Sequence, residues 1–182
     1  DDEQTPPRMV GKKIVPILQK DDSRYMTESM DIVHYVDKID GKPLLTGTRS
    51  PRLEEWVRKV NGYINHLLLP RIAKAPFDEF ATPEARAYFT RKKEAAIGSF
   101  ADHLAHSSGL IKNISSDLRA LDKLIEQPNA VNWELSDDDI HLFPLLRSLT
   151  LVAGVDYPSR VADYRDNMAK QTQITLLTSR AL

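Results

Sequence analysis

Ile14-Val15-Pro16-Ile17-Leu18 is the stretch that decides the fold, because it places a proline inside a segment with the apolar composition of a β-strand. Proline has no N–H to donate to a strand ladder, so within sheets it is confined to edges and bulges. At such an edge, the residue before the proline can offer its own N–H and C=O to an extended peptide lying alongside. The stretch therefore predicts an edge strand that binds an extended peptide through Val15.

Glu28 and Ser29 begin a helical pattern twelve residues after Pro16. A carboxylate can bind an ammonium group, whereas a serine hydroxyl and the N–H groups of a helix N-terminus can bind a carboxylate. Together with Val15, these residues predict a cradle for a small peptide with a zwitterionic end, which is the chemical description of glutathione. Two plainer interpretations stay open: Val15-Pro16 is an ordinary edge proline, and Glu28-Ser29 serves only to cap a helix.

The surrounding residues predict a β-β-α unit. We expect a loop over residues 1–7, strands over 13–19 and 23–27, and a helix over 29–38. A two-stranded hairpin is marginal in water, and one short helix covers only one of its faces. We therefore expect that strands in sequence preceding this chain complete the sheet.

Residues 41–51, which are rich in Gly, Pro and Thr, predict a linker, and all residues after it predict helices. Apolar side chains at three- and four-residue spacing predict helices over 52–69, 82–105, 110–125, 136–153 and 158–170, with Pro70 kinking or ending the first. Ser136 and Asp139 have the spacing of a capping box. The helix that follows them is apolar on nearly every side, so we expect it to be buried at the centre of the helical domain.

The composition excludes several classes of protein. The 182 residues carry a net charge of −1 and contain no cysteine, so neither nucleic acid nor an anionic membrane surface is an expected partner. Disulfides, cysteine-ligated metals and thiol chemistry by these residues are also excluded. His103 and His106 lie three residues apart on a predicted helix, yet no third metal ligand accompanies them, so we expect no metal. A cytoplasmic protein is the default expectation.

These features together resemble the glutathione transferase superfamily. Val15-Pro16 matches its cis-proline loop, Glu28-Ser29 its glutamyl-binding pair, and Ser136 to Asp139 its N-capping box. A narrower resemblance, to the glutaredoxin 2 family of bacterial glutaredoxins with a transferase-like fold, rests on residues 5–11, 15–22, 28–37 and 163–169. It implies an α+β fold, with a partial thioredoxin-like β-β-α unit in residues 1–40, a linker over 41–51 and an all-helical transferase-like domain over 52–182.

The same resemblance implies the roles of the four site residues. The backbone of Val15 would hold the cysteinyl part of glutathione, and Pro16 would follow a cis peptide bond. Glu28 would bind the γ-glutamyl ammonium and Ser29 the glutamyl carboxylate. The family also carries a Cys-Pro-Tyr-Cys motif, which this chain lacks, so we expect it within roughly thirty residues of preceding sequence, the length of a strand–helix–strand unit. No catalytic residue is therefore expected in the 182 residues.

The implied function is that of a glutaredoxin, which reduces protein or mixed disulfides with glutathione as the reducing cosubstrate. Its partners would be glutathione and disulfide-containing proteins, and we expect a monomer. Two alternatives stay open. One is a transferase that conjugates glutathione to electrophiles, and the other is a glutathione-binding scaffold without catalysis.

Overall fold

A computed structural model describes residues 2–182 of the chain and divides it into two compact units, the first ending at Leu45 and the second spanning Thr46–Leu182. The described residues form nine α-helices and one two-stranded antiparallel sheet. Both strands lie in the first unit, and the second unit is helical. The predicted fold class, α+β with a partial thioredoxin-like β-β-α unit followed by an all-helical transferase-like domain, is confirmed.

The first unit is built from two short helices and a hairpin: α1 (Thr5–Val10), β1 (Leu18–Gln19), β2 (Tyr25–Met26) and α2 (Ser29–Asp37). The strands are shorter than predicted, whereas α2 ends one residue from its predicted boundary. The loop expected over residues 1–7 is wrong from Thr5 onward. Pro6 and Pro7 fall in the first turn of α1, where a missing N–H costs nothing, and Gly11 ends the helix with a φ of 76°. The part of that loop at Asp1 lies outside the described residues.

The first unit has a thin core. Among its described residues only Pro6 is buried, and α2 buries none of its side chains. Val36, an apolar residue of α2, is 52% exposed. Burial of apolar surface is the main source of folding free energy, so this unit draws little stability from its own described residues.

Seven helices make up most of the second unit: α3 (Pro51–Asn61), α4 (Ile64–Lys74), α5 (Pro83–Ile97), α6 (Phe100–Ala105), α7 (Ser107–Leu121), α8 (Asp137–Leu149) and α9 (Ser159–Thr172). Two 3₁₀ turns, Asp78–Phe80 and Thr178–Arg180, accompany them. Their core contains fully buried side chains from α3, α4, α7, α8 and α9, namely Leu53, Val60, Leu67, Ile114, Leu118, Leu121, Leu142, Leu146, Leu149, Val161 and Tyr164.

Two of the predicted helices are each divided in the structure. The first ends at Asn61 and restarts at Ile64, and α4 continues past Pro70 to Lys74. The predicted end of the helix at Pro70 is therefore wrong, and Pro70 lies buried inside α4. The second divides at Gly98, whose φ of 90° is incompatible with a helix; Ser99 then caps α6 by accepting a hydrogen bond from Asp102 N–H.

Helix α8 confirms the predicted capping box at Ser136 and Asp139. The expectation that α8 is buried on nearly every side is wrong for one face, because Ile140 is 38% exposed and His141 and Pro144 are also exposed. The helix also ends at Leu149 rather than near residue 153. Leu151 and Val152, which follow it, are apolar and buried but are not helical. A prediction from the apolar pattern therefore made α8 too long.

The hydroxyl of Tyr164 donates a hydrogen bond to Asp139 at 2.8 Å. Burial raises the pKa of Tyr164 above the ordinary value of 10.0, and the nearby Asp139 carboxylate raises it further. Above pH 10 the unfolded chain therefore loses this proton while the folded chain keeps it. The free energy of unfolding falls in that range, by up to about 1.4 kcal/mol per pH unit from this one group.

Tyr164→Phe is expected to make the loss of stability between pH 10 and 11.5 shallower by up to about 1.4 kcal/mol per pH unit, because the variant has no proton to lose at this position. Urea unfolding at a series of alkaline pH values measures the slope. The slope separates this effect from the lost hydrogen bond, which lowers stability equally at every pH. A variant that retains the parental slope would contradict the assignment.

Gly47 approaches the backbone of residues 134 and 135 closely. Its N–H donates to the carbonyl oxygen of Leu135 at 2.8 Å, and a Cβ at this position would overlap the carbonyl oxygen of Glu134 and lie 2.9 Å from its carbonyl carbon. We expect Gly47→Ala to lower the free energy of unfolding by about 1–3 kcal/mol, because backbone atoms must move apart. Gly109→Ala, in the first turn of α7 with open space around the new methyl group, is the matched control. It should be neutral or stabilising in the same urea titration.

Candidate functional site

The peptide bond between Val15 and Pro16 is cis, as predicted. Val15 is 75% exposed although it is an apolar residue. Within residues 2–182, no hydrogen bond is made to the backbone N–H or C=O of Val15. Both groups are therefore available to an extended peptide placed against this edge, as the sequence pattern required.

The register of the hairpin brings the four predicted site residues to one end of it. Leu18 pairs with Met26, and Gln19 with Tyr25. Pro16 lies two residues before β1 and Glu28 two residues after β2. Because the strands are antiparallel, the start of β1 and the end of β2 are at the same end of the hairpin, so Val15-Pro16 and Glu28-Ser29 flank that end.

Glu28 is the N-cap residue of α2, with φ −85° and ψ 121°, and its side chain makes no capping hydrogen bond. It is exposed, as is Ser29. Its carbonyl oxygen accepts the first helical bond, from the N–H of Ile32 at 3.0 Å. Glu28 thus occupies the N-cap position, but its carboxylate makes no capping hydrogen bond.

The start of α2 has the electrostatic character of an anion site. The N–H groups of its first turn, residues 29–31, have no partner within the helix, and the helix dipole places positive partial charge there. Asp31 is the acidic residue of this turn and is itself exposed. The end of the hairpin therefore offers a carboxylate, a hydroxyl, helix N–H groups and an extended-strand edge.

The two histidines singled out from the sequence have other contacts. The His103 ring stacks on His66 at 4.5 Å between centroids, and its Nε2 lies 2.7 Å from the carbonyl oxygen of Ile97. The Nδ1 of His106 lies 2.9 Å from the carbonyl oxygen of Asp102. Across the described residues, no group of three or more His, Cys, Asp or Glu side chains is placed to hold a metal ion.

None of the helices described is both long and apolar enough to span a membrane.

Trp56 and Tyr63 pack in the core of the second unit. Both donate hydrogen bonds to Asp117. The indole N–H of Trp56 donates to the backbone carbonyl oxygen of Asp117 at 2.7 Å, and the hydroxyl of Tyr63 donates to its Oδ2 at 2.8 Å. Sequence reasoning missed this cluster. Asp117 lies more than fifty residues along the chain from both partners, and nothing in the local pattern around an aspartate in a helix signals a buried acceptor.

Comparison with known proteins identifies the family. The family model described as "Glutaredoxin 2, C terminal domain" matches residues 52–181. The chain belongs to the glutaredoxin 2 family. The glutaredoxin 2 proteins of Escherichia coli K12 and Escherichia coli O157:H7 are each 78% identical to it over 182 residues, which is 100% of this chain and 85% of theirs. The predicted resemblance is thus confirmed.

A solved structure of the same family has nearly the same fold. The 1.2 Å crystal structure of glutaredoxin 2 from Salmonella typhimurium in complex with glutathione superposes with a TM-score of 0.96 at 75% sequence identity. The match covers 100% of this chain and 84% of that one. Membership of the glutaredoxin 2 family therefore supports a glutathione-related oxidoreductase.

Proposed function

We propose that the protein is a glutathione-dependent thiol–disulfide oxidoreductase that reduces protein or mixed disulfides. The observation that carries the proposal is the end of the hairpin where β1 begins and β2 ends, which Val15-Pro16 and Glu28-Ser29 flank along the chain. The glutathione bound in the Salmonella relative supports the same ligand here.

Each of the four residues has a defined role in this proposal. The free N–H and C=O of Val15 pair with the backbone of the cysteinyl residue, and Pro16 shapes the strand edge beside it. The Glu28 carboxylate accepts hydrogen bonds from the γ-glutamyl ammonium. Ser29 and the first N–H groups of α2 bind the glutamyl carboxylate. Glutathione would not have to displace an internal hydrogen bond at these positions. Among the described residues, neither the Val15 backbone nor the Glu28 side chain makes one.

The nucleophile must come from elsewhere, since residues 1–182 contain no cysteine. We propose a dithiol in sequence outside these residues. One thiolate attacks a substrate disulfide, forms a mixed disulfide and releases the first substrate thiol. The second thiol, or glutathione, displaces the second substrate thiol, and glutathione then restores the dithiol. Two glutathione thiols are oxidised to one disulfide for each substrate disulfide reduced.

The test is a pair of assays on the intact protein. Glutathione-dependent reduction of a small mixed disulfide is measured beside conjugation of glutathione to chlorodinitrobenzene. We expect disulfide reduction and little conjugation. Rapid conjugation without disulfide reduction would instead favour a transferase, and glutathione binding without either activity would favour a scaffold. Residues 1–182 alone are expected to be inactive in both assays.

The remaining features follow from this proposal. We propose glutathione as the cosubstrate with no metal, disulfide-containing proteins as partners, and a monomeric cytoplasmic protein. We also propose residues 1–40 as the glutathione-binding part, 41–51 as a linker and 52–182 as the helical domain. Sedimentation of the intact protein tests the monomer.

A further inference from the structure

Trp133 is an exposed aromatic residue in the segment that joins α7 to α8. It is 72% exposed, whereas Trp56, the other tryptophan of these 182 residues, is only 6% exposed. A large aromatic ring left in water forgoes the free energy that its burial would contribute. Exposed tryptophan is also one of the residue types that contribute most to the binding energy of protein interfaces. Trp133 is therefore a candidate contact residue for a partner.

The backbone on both sides of Trp133 is held by hydrogen bonds to a distant part of the chain. Before it, Asn132 Nδ2 donates to the carbonyl oxygen of Thr48 at 2.9 Å. After it, Glu134 Oε2 accepts from the hydroxyl of Thr46 at 2.9 Å. The segment cannot turn the indole inward without breaking these bonds, so the exposed position of Trp133 is built into the fold.

A cavity of about 310 Å³ opens beside Trp133. Among the described residues, its lining contains two exposed carboxylates, Glu126 and Glu134, and no lysine or arginine. In the part of the chain that the structure describes, neither carboxylate has a cationic nitrogen within ion-pair distance. No cation of these described residues lies over the Trp133 ring either.

Arg49 is the cation closest in sequence to the residues of this lining, and it is already paired. Its Nε lies 3.7 Å from Asp138 Oδ1, and its Nη2 lies 3.9 Å from Glu54 Oε2. Its charge is therefore directed to other carboxylates and does not compensate those of the cavity. The cavity is thus a local concentration of negative charge beside an exposed aromatic face.

We propose that this cavity binds the side chain of an arginine in a basic segment of a protein partner. A planar guanidinium stacks on an indole face and donates paired hydrogen bonds to carboxylates, so it matches Trp133, Glu126 and Glu134 together. The negative charge of the lining favours a cationic segment and disfavours nucleic acid and anionic membranes.

The size of the cavity favours a chain segment over a small free cation. About 310 Å³ is at the lower end of the range of about 300–1,000 Å³ for small-ligand sites, and it holds one long side chain. A single small cation would leave much of the exposed indole in water, whereas residues that flank an arginine in a peptide cover it. The inference goes beyond the proposed reduction of disulfides, because it uses none of the proposed glutathione-binding residues.

The experiment titrates acetyl-tetra-arginine amide into the intact protein and measures the affinity by isothermal titration calorimetry. We expect one saturable site whose affinity is unchanged by saturating glutathione. Acetyl-tetra-lysine amide should bind about threefold more weakly, because an ammonium group stacks on the indole less well than a guanidinium does.

Two variants test the lining. Trp133→Ala and the double variant Glu126→Gln/Glu134→Gln should each weaken the arginine peptide about tenfold. Glutamine keeps a side-chain oxygen that accepts from Thr46, and all three replaced side chains are exposed, so stability to urea should equal that of the parent. The matched control Glu55→Gln/Glu84→Gln removes the same charge at exposed positions outside the cavity. It should stay within about twofold of the parent.

Five results would overturn the proposal. The first is no binding of the arginine peptide, and the second is an equal loss of affinity in the control variant. The third is equal affinity for the lysine peptide, which would indicate attraction by charge alone. The fourth is equal affinity for free arginine amide, which would assign the cavity to a small cation. The fifth is displacement of the peptide by glutathione.

Discussion

We expect the Asp139→Ala variant to unfold with a free energy about 3–5 kcal/mol lower than that of the parent protein. Asp139 is 2% exposed, and its two carboxylate oxygens accept four hydrogen bonds. Oδ1 binds the N–H of Val131 and the hydroxyl of Tyr164, and Oδ2 binds the N–H and hydroxyl of Ser136. Alanine would leave these donors buried without acceptors and would also remove half of the capping box.

Urea unfolding followed by the helical circular-dichroism signal measures this effect. Glu84→Ala is the matched control, because Glu84 is also an acid in the first turn of a helix but is exposed. We expect it to cost less than about 0.5 kcal/mol. A loss in Asp139→Ala as small as that in the control would show that the buried network contributes little to stability.

Glu28→Gln is expected to weaken glutathione binding by the intact protein about ten- to a hundredfold, measured by isothermal titration calorimetry. The variant keeps the size and shape of the side chain but removes the charge that meets the γ-glutamyl ammonium. A hydrogen bond between charged groups contributes about 1.5–3 kcal/mol. Its stability to urea should equal that of the parent protein, because the Glu28 side chain makes no capping bond in α2.

Asp21→Asn is the matched control for this substitution. Asp21 is an exposed carboxylate in the turn of the same hairpin, at the end away from Glu28. Its replacement should leave the affinity within about twofold, the size of a long-range charge effect in salt. Equal weakening by the two variants would indicate a general effect of charge and would remove Glu28 from the proposed site.

Local patterns predicted the elements whose signals are close in sequence. The capping box at Ser136 and Asp139 and the cap at Ser50, which accepts from Leu53 N–H, follow from side chains that bond to a backbone three residues away. The cis bond before Pro16 was predicted from the resemblance to the family. The hairpin between Pro16 and Glu28 was accessible from local sequence, because its strands and turn lie within a few residues of each other.

Patterns failed where packing over long sequence distances decided the outcome. Helix α4 continues through Pro70, which is buried there, and the break falls instead after Asn61. Long-range bonds that no local pattern signals also join residues 46–50 to residues 134–138, including Ser50 N–H to Asp138 at 2.7 Å. The partners in that bond are 88 residues apart, so no local window contains both of them.

The amino-acid order alone determined the β-β-α unit and the helical remainder, because strand alternation, capping and turn chemistry act over a few residues. Only the tertiary structure decided that Asp139 joins Val131 to Tyr164, and that Asp117 accepts hydrogen bonds from Trp56, Lys59 and Tyr63. A buried carboxylate must find its donors in whichever segments pack around it, and chain collapse, not local sequence, brings those segments together.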